Sequence, residues 1–130
     1  MISLTISTTH QTGTTDITDR VARNVQVDDG LCHVSAAHTT CAITVTEDTD
    51  GSVATDIHEK LSDLIPTSDN YKHDRIDGNA DAHIKASLIG HDTTLPVVDG
   101  SLALGAWQRI LLVEFDGGRQ RTVRVTTLDG

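Results

Sequence analysis

Hydrophobic and polar residues repeat with two different periods along the chain, which predicts a mixture of strands and helices. Residues 2–9 alternate with a period of two, as in a strand that buries one face. From Asp16 to Val27 apolar residues recur at every fourth position, the spacing of one helix face. Thr15 or Asp16 can cap this helix, and Asp28-Asp29-Gly30 breaks the chain after it. A strand and a helix are therefore expected before residue 30.

The rest of the chain continues with helix-like and strand-like segments. Two more helices are expected, over Asp50–Leu64 and over Asn79–Ile89, the second capped by Asn79 and closed by Gly90. Asp99-Gly100 is a hairpin signal. The expected later strands are Leu31–Ala37, Thr40–Thr46, Thr93–Val98, Ser101–Leu104, Trp107–Phe115 and Thr122–Thr126. This order predicts an α+β fold, a single compact domain over residues 1–130 with a largely antiparallel sheet and about three helices packed on it.

Length and charge narrow the possible partners. A chain of 130 residues is large enough for one domain with its own core. The formal net charge of −9 argues against nucleic acid as a partner, since the phosphate backbone attracts basic surfaces. No apolar run is long enough to cross a bilayer, and the N-terminus does not have the pattern of a secretion signal. We therefore expect a cytoplasmic protein without a membrane partner.

The segment 70–85 holds the densest group of chemically active side chains. It carries two of the seven histidines, His73 and His83, and little apolar surface. Together with His38, they lie in polar settings at loops or element ends, where neutral imidazoles can bind Zn²⁺ or a similar ion. None of them has the spacing of a local metal motif, so spacing alone does not decide between a metal site and a solvated loop.

Acidic and basic residues near these histidines suggest further roles. Glu47 and Glu114 end strand-like runs, where each is either a ligand or base or simply a charge facing water. Asn79 opens a helix whose free N–H groups suit an anion, with Arg75 and Lys85 beside it. The alternative is that Asn79 is only a helix cap.

The two cysteines fall in apolar, strand-like surroundings. Cys32 and Cys41 are therefore expected to be buried hydrophobic residues without a disulfide. A catalytic thiol at Cys41, three residues after His38, is the alternative hypothesis.

Several motifs, in order along most of the chain, resemble the YjbQ family, which is often labelled secondary thiamine-phosphate synthase. The resemblance runs from about Leu4 to Val125. The motifs that carry it are His38-Thr39-Thr40, Tyr71-Lys72-His73-Asp74, the run from Gly78 to Leu88, Leu95-Pro96-Val97 and Gly105-Ala106-Trp107-Gln108.

The resemblance implies more than the residues alone do. It implies a homotrimer or hexamer and one pocket in which His38, His73 and His83 gather around a divalent metal, with zinc as the expected ion. It also implies joining a pyrimidine diphosphate to a thiazole phosphate with release of diphosphate. The motifs add Gln108 as a catalytic candidate and Ser87 as a contact for a small phosphorylated ligand.

Three functions compete at this point. The first is an enzyme in which a metal on the histidines polarises a phosphate, with Arg119 or Arg121 as further anion contacts. The second is a non-catalytic oligomeric module that binds a metal or a small phosphorylated ligand. The third is a structural oligomer whose histidines are satisfied inside a subunit interface.

Overall fold

Eight strands and three α-helices follow one another along residues 1–130, all of which the computed structural model describes. The strands are β1 (Ile2–Ser7), β2 (Gly13–Asp16), β3 (Gly30–Ala36), β4 (Cys41–Thr46), β5 (Asp92–Val98), β6 (Ser101–Leu102), β7 (Arg109–Glu114) and β8 (Gln120–Asp129). The helices are α1 (Thr18–Ala22), α2 (Ser52–Leu64) and α3 (Ala80–Ile89), and a short 3-10 helix covers Lys72–Arg75.

The strands form two sheets in place of the single one expected. The larger sheet has the order β1-β8-β3-β5-β6, and the smaller one has the order β2-β7-β4. Every pair of neighbouring strands is antiparallel. The predicted class, an α+β domain with antiparallel sheets and three helices, is therefore confirmed.

The smaller sheet is the middle layer of the fold. On β4, Cys41 and Ile43 face the core cluster shared with the larger sheet, whereas Ala42 faces a second cluster. That second cluster contains Leu61 of α2 and Ala86 of α3. Because both faces of β7 are covered, Ile110 to Val113 form a continuous apolar run without a polar face. The layering holds α2 and α3 against the smaller sheet, on the side away from the larger one.

The predicted helix over Asp16–Val27 was too long, and strand β2 was missed. Residues 13–16 pair with β7, and only Thr18–Ala22 form α-helix. The side chain of Asn24 explains the early end, because its Nδ2 donates to the Arg20 carbonyl at 2.7 Å. That bond competes with the backbone pattern that would continue the helix. The apolar spacing predicted core burial correctly but overestimated the helix length.

The other two helices and the hairpin lie where the sequence predicted them. Asp99 and Gly100 both have positive φ, 50° and 78°, as a tight turn between β5 and β6 requires. Gly90 ends α3 with its N–H on the Ala86 carbonyl. None of the helices is both long and apolar enough to cross a membrane.

Candidate functional site

Helix α3 separates two cavities, and five of the predicted site residues line one or the other. We call the first the histidine cavity; it has a volume of about 280 Å³ and is lined by His38, Thr39, Cys41, His83, Ala86, Ser87 and His91. We call the second the lysine cavity, of about 270 Å³. Its lining includes Asp77, Asn79, Asp81, Lys85 and Asp116. Residues one helical turn apart share a face, so His83 and Ser87 face one cavity while Asp81 and Lys85 face the other.

His38 completes the hydrogen bonding of β8 where its neighbouring strand ends. The last residue of β3, Ala36, lies opposite Val123. The next position on β8 is Thr122, whose carbonyl accepts from the Ala37 N–H at 3.1 Å. The Thr122 N–H donates to Nε2 of His38 at 2.7 Å. The imidazole therefore replaces a strand carbonyl, which fixes the ring at the mouth of the histidine cavity.

The surroundings of His38 favour the neutral imidazole. Burial is the main cause that lowers its pKa below the ordinary value. The positive charges of Arg121, Arg119 and Arg124 lower it further, and only Glu114 acts in the opposite direction. His38 is therefore uncharged at neutral pH.

His73 and His83 contact each other through their rings. The ring centroids are 4.9 Å apart and the planes are perpendicular. Nε2 of His73 is buried without a hydrogen-bond partner, and its nearest carboxylate oxygen, on Asp77, is 3.6 Å away. Because His83 also lines the histidine cavity, it links the other two histidines.

Zinc bound by His38, His73 and His83 stays a prediction. No group of three or more His, Cys, Asp and Glu side chains has the arrangement of metal ligands. Nε2 of His38 accepts the Thr122 N–H, so this nitrogen is engaged with β8 in this arrangement. His73 and His83 offer two nitrogens, and zinc on that pair stays a prediction.

Glu114, one of the predicted catalytic residues, is held in a buried ion pair. Glu114 and Arg121 are each only 2% exposed. Nε of Arg121 donates to Oε1 of Glu114 at 2.7 Å, and Nη2 donates to Oε2. Burial alone would raise the pKa of Glu114, but the bonds from Arg121 and Thr8 outweigh it and the pKa is lowered. The carboxylate is therefore ionised and fully engaged, which suits a structural role.

Lys85 and Asn79 line the lysine cavity and are engaged with carboxylates. Nζ of Lys85 donates to Oδ2 of Asp81 at 3.0 Å, and Lys85 is 4% exposed. Nδ2 of Asn79 donates to Oδ2 of Asp116 at 3.0 Å. Asn79 occupies the expected N-cap position of α3, but its side chain makes no capping bond. Instead Oδ1 of Asp74 accepts from the Ala80 N–H.

The remaining predicted site residues are dispersed. Ser87 lines the histidine cavity and donates to the His83 carbonyl at 2.8 Å. Arg75 is exposed in the 3-10 helix. Glu47 follows β4 and accepts from the Thr49 N–H, while Gln108 accepts from the Gly105 N–H in its own turn. A single chain therefore does not bring Glu47 and Gln108 to either cavity.

Cys41 lines the histidine cavity but does not have the properties of a nucleophile. The residue is fully buried, and burial raises the pKa of its thiol to about 11. At neutral pH the group is therefore a thiol and not the reactive thiolate. Cys32 is likewise buried, so both cysteines match the expected role of small core residues.

Three features of these cavities were not predicted from the sequence. His91, an exposed residue between α3 and β5, lines the histidine cavity. Asp116 accepts hydrogen bonds from Gln11, Asn79 and Arg119. The Thr122 N–H fixes His38. None of these has a local signal, because each depends on segments far apart in sequence.

Sequence and structure comparisons identify one family over the whole chain. Residues 2–130 match the model of the UPF0047 protein YjbQ-like family. A UPF0047 protein of Archaeoglobus fulgidus is 48% identical over 127 residues, which cover 98% of this chain and all of that protein. UPF0047 protein YugU of Bacillus subtilis is 36% identical over 124 residues and covers 92% of both.

Solved structures agree with this assignment. A yjbq/upf0047 family protein of Clostridium acetobutylicum has a TM-score of 0.94 at 39% identity, with 98% of this chain and 100% of that chain covered. A YbjQ-like protein of unknown function from Sulfolobus solfataricus has a TM-score of 0.94 at 36% identity, with 99% and 96% covered. The chain therefore belongs to the YjbQ-like family of UPF0047 proteins.

Proposed function

We propose that the protein is an enzyme that acts on small phosphorylated molecules in the histidine cavity. Its proposed activity is a secondary thiamine-phosphate synthase activity, which joins a pyrimidine diphosphate to a thiazole phosphate and releases diphosphate. The observation that carries the proposal is that His38 and His83 line one cavity while His73 contacts His83 from the side. Such convergence of imidazoles from distant segments is typical of functional sites.

The proposed chemistry needs groups that stabilise a departing diphosphate. As the bond to the diphosphate breaks, the leaving oxygens gain negative charge, and fixed N–H donors lower the energy of that state. Neutral His38 and the imidazole of His83 are such donors, and the arginines near His38 add a favourable positive field. Bound zinc on His73 and His83 would polarise a phosphate oxygen. The cavity is close to the ~300 Å³ at which small-molecule sites begin.

One observation favours the second candidate, a non-catalytic module that binds a small phosphorylated ligand or a metal. None of Glu47, Glu114 and Gln108 lines the histidine cavity of a single chain. A site without a free carboxylate base can bind a phosphorylated ligand without converting it. The two candidates therefore differ in turnover and not in binding.

Turnover of the two thiamine precursors tests the proposal. The zinc-loaded protein is expected to form thiamine phosphate, and His83→Ala is expected to lower the rate about 100-fold, the typical contribution of one positioned imidazole. His10→Ala, a histidine outside both cavities, is the matched control and should retain the wild-type rate. If the wild-type protein forms no more product than His83→Ala, the synthase activity is excluded and the binding module is favoured.

We also propose that the protein is a homotrimer or a hexamer. Leu31, which is 46% exposed, pairs with Pro96 on one side and with Leu128, which is 65% exposed, on the other. These side chains form an apolar patch on the outer face of the larger sheet, and such patches mark association surfaces. Trp107, on a separate turn, is 70% exposed.

Light scattering of the purified protein is expected to give three or six chain masses. Leu128→Asp places a charge in the apolar patch and should produce monomers, whereas Thr5→Asp, at an exposed position of β1 in the same sheet, should not. A wild-type protein that is monomeric at micromolar concentration would contradict the proposal.

A further inference from the structure

The two ring nitrogens of His38 are committed to different roles. A backbone N–H can only donate, so Nε2 must accept the bond from Thr122 with its lone pair. A neutral imidazole carries one proton, which therefore lies on Nδ1. Nδ1 has no hydrogen-bond partner within the chain and is not among the buried unpaired atoms, so it is accessible to a ligand, and His38 is part of the lining of the histidine cavity. His38 thus presents a fixed N–H donor to the histidine cavity.

This hydrogen bond opposes metal binding at His38. A metal needs a nitrogen lone pair, but the lone pair of Nε2 is occupied and Nδ1 is protonated. Binding through Nδ1 would require the proton to move to Nε2, where it would face the N–H of Thr122 at 2.7 Å. Two donors at that distance repel each other, and the β8 bond that His38 completes would be lost.

The charges around His38 also oppose a cation and favour an anion. Three arginines on β8 or just before it, Arg119, Arg121 and Arg124, act on the ring, and one carboxylate, Glu114, opposes them. Arg121 is too buried to leave, because its guanidinium also donates to Oγ1 of Thr40 at 2.8 Å. Because Arg121 is paired with Glu114, the excess positive charge near the ring comes from Arg119 and Arg124.

We propose that the His38 end of the histidine cavity is a subsite for a phosphate group, bound through the Nδ1 N–H, and is not a metal-ligand position. This inference deepens the proposed function, because the phosphate is taken to belong to the phosphorylated ligand of that site. The same lining contains Ser87, whose hydroxyl already donates to the His83 carbonyl, and His83 and His91, whose ring nitrogens can donate to a ligand. Phosphate oxygens are strong acceptors and bind such donors well.

The His38→Gln variant separates the two functions of the ring. Oε1 of glutamine can accept from the Thr122 N–H in place of Nε2, but nothing donates from the position of Nδ1. The variant is expected to melt within about 2 °C of the wild type. Its affinity for inorganic phosphate, measured by calorimetry, should fall about 10-fold or more, the value of one hydrogen bond to a charged group. His10→Gln is the matched control and should bind phosphate like the wild type.

A second readout does not depend on any variant. In a spectrum of ¹⁵N-labelled histidines at neutral pH, His38 should show a protonated Nδ1 and an unprotonated Nε2, and equimolar zinc should leave both signals unchanged. The proposal would be overturned if zinc shifted the His38 signals or if the proton were on Nε2. It would also be overturned if His38→Gln bound phosphate as tightly as the wild type, or if the wild type did not bind phosphate at millimolar concentration. Because neither readout involves turnover, a negative synthase assay would refute the activity without deciding this test.

Discussion

Replacing Arg121 with methionine is expected to destabilise the protein by about 3–5 kcal/mol at neutral pH, because it leaves the carboxylate of Glu114 buried without its charge partner. Both residues are 2% exposed, so water cannot replace the guanidinium. The same change removes the donor to Oγ1 of Thr40. Chemical denaturation of wild type and variant measures the difference. The matched control is Arg124→Met, an exposed arginine on the same strand, for which we expect little change.

The pH dependence of this deficit identifies its cause. In the wild type the pKa of Glu114 is below the ordinary value of 4.5, so its contribution to stability is present above that value and is lost as pH falls through the folded pKa. In the variant, burial without the guanidinium raises the pKa of Glu114, so protonation relieves the unpaired charge. The deficit should therefore shrink as pH falls toward about 4.5. A deficit that stays constant with pH would assign the loss to packing.

Replacing Lys85 with methionine is expected to cost about 3 kcal/mol of unfolding free energy, for a related reason. Lys85 is 4% exposed and Asp81 is 8% exposed, so the variant leaves a largely buried aspartate without its cation. Adding Asp81→Asn to Lys85→Met gives a double variant from which that unpaired charge is removed. The double variant should therefore be more stable than Lys85→Met alone, with a coupling of about 1–3 kcal/mol between the two positions.

The chain contains a matched control for this pair. Asp56 and Lys60 have the same spacing on α2, and both are exposed. Lys60→Met should change the stability little, since exposed ion pairs on helices contribute little. If Lys85→Met is as stable as the wild type, Lys85 is not needed for the fold. A ligand role for its ammonium group would then be favoured.

The fold was predictable where local patterns and tertiary packing agree. Helix α3 has a start signal at Asn79 and an end at Gly90, and the structure places it at Ala80–Ile89. The hairpin at Asp99-Gly100 has the two positive φ angles that its residue types favour. Strand β2 was missed because its residues, Gly13–Asp16, are too short and polar to show a period, and only pairing with β7 makes them a strand.

The site was predictable as a set of residue types but not as a geometry. The sequence identified His38, His73 and His83, and the structure places His38 and His83 in one cavity lining and the ring of His73 against that of His83. Helix spacing does place Lys85 and His83 on opposite faces of α3, because residues two apart on a helix differ by about 200°. The sequence did not reveal that each of these faces borders a separate cavity. It also did not indicate that Glu114 belongs to the core, since an ion pair with Arg121 depends on the turn between β7 and β8.

The most direct test of the histidine cavity as the functional site is a crystal structure of the protein with the thiazole phosphate bound. We expect the phosphate group in the histidine cavity, with one of its oxygens accepting a hydrogen bond from Nδ1 of His38 and the rest of the molecule toward His83. A phosphate found on Lys85 in the lysine cavity, with nothing bound between His38 and His83, would contradict the proposal.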